Sequence, residues 1–164
     1  MARIIRKLRI MSNHLFVVLF ALMDSCAWSH AEMVAWADQL IMKLNRPTAW
    51  LADLSVSTSR DDALNVIRRT MSESGVLLPD SFGDLMVGLI LLRFSKGELS
   101  SGAARAQILE IADAYGVNGV DAEAADHLDL GAPIYTQFRI EAEGVIMQLA
   151  ISNVVECQRR LIEE

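Results

Sequence analysis

Apolar residues return at every third or fourth position along most of this chain, and no segment sustains the one-in, one-out alternation of a strand. That period belongs to the α-helix, where side chains three and four apart stack on one face. Val34, Ala37, Leu40, Ile41 and Leu44 keep it, and so do Ala63, Leu64, Ile67 and Met71. The expected fold class is all-α: a single-domain bundle or orthogonal array of about eight helices with a long C-terminal helix. Ala, Leu, Ile, Val and Met supply most of the 52% apolar content, and small or unbranched side chains lose little rotamer freedom in helices. A chain of 164 residues buries roughly 70% of its unfolded surface, so its core needs no disulfide or metal staple.

Caps and breakers mark the helix ends. Ser29 with Glu32 makes a capping box, and Ser59 with Asp62 a second capping signature. Pro47 opens a short helix through Trp50, Leu51 and Leu54. Gly75 stops the helix after Ser59, and Lys96-Gly97 ends one that starts at Pro79-Asp80-Ser81. The middle of that helix, Val87 to Leu92, is apolar all round, which suits the centre of a bundle. Ser100 introduces a helix closed by Gly116, and a short acidic helix follows over about 121–129. Pro133 then starts the longest periodic stretch, reaching Leu161, with Phe138, Val145, Leu149, Ser152 and Cys157 on one stripe. Ile140, Ile151, Val155 and Ile162 widen that stripe, and Gly144 is its weak point.

The N-terminus reads in more than one way. Residues 1–11 form a basic extension to a helical domain over 12–164, and Met11 is an alternative start. The basic stretch, the apolar run Leu15 to Met23 and Ser29-His30-Ala31 have the outline of a secretory signal peptide. A core helix accounts for the same residues, with Ser12 or Asn13 as its cap and the Ser29 box after it. Nine apolar residues fall far short of the roughly 20 that cross a bilayer. Cys26 and Cys157 read as reduced thiols of a cytoplasmic protein.

Catalytic and metal signatures are not expected. Cys26 and His30 share a helical spacing, but the Ser29 cap interrupts the helix between them, and two ligands do not make a site. Acid–base chemistry needs carboxylates held in a pocket, whereas Asp61-Asp62 sits where a helix start favours negative charge. No glycine-rich phosphate loop, nucleophile elbow or dinucleotide fingerprint occurs; Gly116-Val117-Asn118-Gly119 reads as a turn. No cofactor is expected. Trp28, Trp36 and Trp50 read as a core corner or, as the alternative, an aromatic binding patch.

Charge is the strongest functional signal. Arg3, Arg6, Lys7 and Arg9 stand without an acid, so a net charge of −6 leaves −10 on residues 12–164. Glu110, Asp113, Asp121, Glu123, Asp126 and Asp129 follow one another with no Lys or Arg between them. Residues 108–130 have the outline of a helix-turn-helix, but such a helix must approach phosphates and this one would repel them. Those six acids are the expected contact residues for a cationic protein partner.

Trp36-Ala37-Asp38, then Pro47, then Trp50-Leu51-x-Asp53-Leu54 resembles a pattern in small all-helical bacterial proteins, some of them immunity partners of secreted toxins. The likeness is clear over residues 36–54 and loose over 12–115. No site residue is carried over from it, because the motif residues look structural. With the acidic body and the lack of catalytic signatures, the expected function is a non-enzymatic binding protein, such as an immunity protein that neutralises a basic toxin. A helical enzyme with a hidden pocket and a self-associating structural protein, such as a homodimer, are the alternatives.

Overall fold

Ser29 shows how closely local chemistry sets these helices. Its hydroxyl accepts from Glu32 N at 3.2 Å while the Glu32 carboxylate accepts from Ser29 N at 2.7 Å, the reciprocal pair that satisfies two orphan donors at a helix start. A computed structural model describes residues 15–120 and 128–162, with side chains as far as Glu156. Among them are eight helices and no strand: α1 (15–24), α2 (His30–Lys43), α3 (Ala49–Ser55), α4 (Arg60–Glu73), α5 (Phe82–Ser95), α6 (Ser101–Tyr115), α7 (Pro133–Gln148) and α8 (Ile151–Ile162). The all-α class follows directly. Ser12, Asn13, the basic extension and most of the acidic helix of 121–129 lie outside the described residues.

The chain divides into two compact units, one up to Leu77 and again from Ile146, the other over Leu78–Val145. In the first, α1 is buried on every side from Phe16 to Met23, so the apolar run is a core helix here. Its last carbonyls are capped by another helix: Arg60 donates from Nε to Met23 O and from a terminal nitrogen to Asp24 O, each at 2.8 Å. The α2 stripe differs from the expected one. Met33, Trp36, Ala37 and Leu40 are buried, while Val34, Ile41 and Leu44 are only half-buried, because the wide Trp36 side chain draws the contact face one position towards the N-terminus. Leu51 and Leu54 of α3 and Ala63, Leu64, Ile67 and Met71 of α4 are buried as expected. Ser59 accepts from Asp62 N at 3.1 Å. Gly75, at φ +67°, closes α4: Val76 N donates to Met71 O and Gly75 N to Ser72 O, the paired bonds of a left-handed helix end.

In the second unit, α5 is buried from Met86 to Leu92. Two glycines on it permit backbone-to-backbone contact. A Cβ at Gly88 would overlap the Phe138 carbonyl oxygen of α7, and one at Gly83 that of Gly116. Ala104, Ile108 and Ile111 give α6 its buried face, and Tyr135, Phe138 and Ala142 give α7 its own.

The long C-terminal helix is corrected by the structure. α7 stops at Gln148 and α8 begins at Ile151. In a continuous helix Leu149 O would accept from Asn153 N; here it accepts from the Trp36 indole at 2.9 Å, and Asn153 N donates to Ala150 O. The Asn153 side-chain amide also donates to Met147 O at 3.3 Å, covering a carbonyl freed at the end of α7. The expected stripe breaks with it: Phe138 and Leu149 are buried, but Ile140 and Ser152 are exposed, and Val154, off that stripe, is buried instead.

Candidate functional site

Three of the six acidic residues expected to meet a partner are described, two on α6 and one in the turn before α7. Glu110 and Asp113 are both exposed and lie three apart on α6, away from its buried Ala104–Ile108–Ile111 face. Asp129 is exposed in the turn before α7, where one carboxylate oxygen accepts from Gly131 N at 2.9 Å in a local turn. Asp121, Glu123 and Asp126 lie outside the described residues. Among the described residues, none of Glu110, Asp113 and Asp129 forms an ion pair. The neighbouring cation, Arg105, donates from Nε to Leu128 O at 3.0 Å, which ties residue 128 to α6.

A contact that sequence reasoning missed, between Asp84 and the turn residue Asn118, holds the loop leading into this segment. Both Asp84 carboxylate oxygens accept from Asn118, one from its backbone N at 3.1 Å and one from Nδ2 at 2.9 Å. Asp84 lies in the first turn of α5, a usual place for an acid, so nothing in the sequence signals its contact with Asn118.

Reactive side chains elsewhere are occupied structurally. His30 Nε2 lies 3.0 Å from Ser57 Oγ, the separation of a nucleophile and its base. Ser57 Oγ donates to Leu54 O at 2.7 Å, so its single proton is spent on a carbonyl and the imidazole must donate to it. That polarity is the reverse of what activates a serine. Cys26 is exposed, with φ +55°, beyond the end of α1 and separated from His30 by the capping box. Asp62 accepts from Thr58 N at 2.9 Å. No group of three His, Cys, Asp or Glu side chains among the described residues could hold a metal ion.

The Trp-Ala-Asp and Trp-Leu-x-Asp-Leu residues hold the first unit together. Asp38 accepts from Ser55, Asp53 pairs with Arg69, and Trp36 caps Leu149. Trp28 lies 6.2 Å from Trp36 between ring centroids, while Trp50 packs edge-on against Phe16 at 5.0 Å.

These features define an all-helical protein with an exposed acidic face on α6. No helix among the described residues is long and apolar enough to cross a membrane. In comparisons with protein-family models, curated proteins and solved structures, the chain matches none.

Proposed function

We propose that this chain is a non-enzymatic binding protein that takes a cationic protein partner, in the manner of an immunity protein that neutralises a basic toxin. One observation carries the reading. Glu110 and Asp113 stand exposed on one face of α6, with no ion pair to another described residue, and the sequence onward to Asp129 adds four acids and no Lys or Arg. Unpaired surface carboxylates of one sign speed encounter with a basic surface and disfavour acidic competitors. Nucleic acid is disfavoured for the same reason. The reading assigns no reaction to the chain and no cofactor.

The test is co-expression with the product of the neighbouring reading frame, scored by growth and by complex formation at rising salt. The wild-type chain should restore growth and bind in a salt-sensitive way. A variant carrying Glu110→Lys, Asp113→Lys, Asp121→Lys, Glu123→Lys, Asp126→Lys and Asp129→Lys should lose both. Equal rescue by that variant would remove the acidic face from the interaction.

Self-association is a second reading, favoured by the exposure of Met42, Val56, Leu77 and Met147 in the first unit. Sedimentation of the purified chain distinguishes it, since a strict monomer at high concentration rules it out.

A further inference from the structure

We propose that Asn118 is a modification site. Its side-chain amide is lost through attack by its own backbone, and the carboxylate that replaces it opens the clamp on Asp84.

The chain holds five asparagines, Asn13, Asn45, Asn65, Asn118 and Asn153, and only Asn118 is followed by glycine. Glycine has no Cβ to shield the amide nitrogen that follows the asparagine side chain. Both residues are exposed. Val120 N donates to Val117 O at 3.3 Å across them, and Gly119 sits at φ +75°, the conformation a type II turn demands at that position. Among the described residues no carbonyl accepts from the Gly119 N–H. Asn65 and Asn153 lie within helices and precede valine, whose branched side chain crowds the same approach.

The reaction balances with water as its only co-reactant. Gly119 N attacks Asn118 Cγ; a C–N bond forms, Nδ2 leaves as ammonia with the proton from Gly119, and a five-membered imide results. Water then opens the imide at either carbonyl, giving aspartate or isoaspartate at this position. Because the nucleophile is the deprotonated backbone amide, the rate rises with pH.

The clamp gives this change a structural consequence. The Asn118 amide is a donor to Asp84 Oδ2 at 2.9 Å, and a carboxylate in its place is acceptor-only. Two carboxylates then face one another, and like charges at that separation repel. The isoaspartate form also lengthens the main chain by one carbon between the two backbone groups. The loop over 116–120, which leads directly to Asp121, loses its hold on α5.

The experiment incubates the full chain in mildly alkaline buffer and follows each asparagine by peptide mapping that separates aspartate from isoaspartate. Conversion at Asn118 should run roughly tenfold faster than at Asn65 or Asn153, given the unshielded Gly119 nitrogen. Equal rates at the three positions overturn the site. Converted and unconverted chains, separated by anion exchange, are then compared by amide hydrogen exchange over 116–120. Faster exchange in the converted chain is expected, and identical exchange overturns the opening of the clamp. In an Asp84→Asn chain, whose amide can donate to the new carboxylate, conversion to aspartate should leave that exchange unchanged. Equal loosening there removes charge repulsion as the cause.

Discussion

Trp36 decides more than its size suggests. Its indole N–H occupies the carbonyl of Leu149, and both groups lie in the buried part of the first unit. Trp36→Phe would keep the ring packing but leave a buried acceptor without a donor, a loss of about 1–3 kcal/mol. Denaturant unfolding should show that loss, and amide exchange at Asn153 should rise with it. Tyr135 is a second residue whose environment is measurable. Burial raises its pKa above the ordinary 10.0, because desolvation disfavours the phenolate. The unfolded chain therefore releases this proton first. Stability from keeping Tyr135 neutral is complete below the unfolded value and is lost as pH rises from there through the folded one. Tyr135→Phe should flatten the alkaline limb of a stability–pH profile and leave the neutral range unchanged; an identical alkaline limb would remove the effect.

At the scale of elements, glycines of opposite consequence sit in α5 and α7. Gly88 lets the α7 backbone approach, and an added methyl meets the Phe138 carbonyl. Gly88→Ala should cost about 1–3 kcal/mol through forced backbone displacement. Gly144 is exposed within α7 and has open space where a Cβ would lie. Gly144→Ala should stabilise by about 0.5–1 kcal/mol, since alanine loses less freedom on entering a helix. Paired chemical-denaturation curves check both; the same sign for the two would contradict the packing described. The caps at Ser29, Ser59 and Ser100 were legible because a cap is satisfied within four residues of itself. The split of α7 from α8 was not. Apolar spacing runs through Leu149 without a proline or glycine, and the donor that takes its carbonyl lies more than a hundred residues away, on α2.

For the whole molecule, the distribution of charge matters more than its sum. With −10 on residues 12–164, encounter with a cationic partner should slow as salt rises, because the Debye length is about 8 Å at physiological ionic strength. Rim charges act mainly on association. Stopped-flow binding should therefore show the salt dependence in the association rate and little in dissociation. The acidic run itself was legible residue by residue, since the order of acids and the missing cations are read directly from the sequence. The Asp84 clamp was not, for its two partners are 34 residues apart in sequence and each alone is an ordinary helix-start or turn residue.

What this sequence determined unaided is local. Helical period, capping hydroxyls and turn glycines each act within a few residues, so the all-α class and most helix ends follow from short-range sterics and hydrogen bonding. The tertiary structure decided which carbonyls and faces found distant partners. Trp36 ended α7, Arg60 closed α1, Asp84 took hold of Asn118, and a tryptophan shifted the buried face of α2. Those outcomes depend on groups far apart in the chain meeting in space, and periodicity carries no record of such meetings.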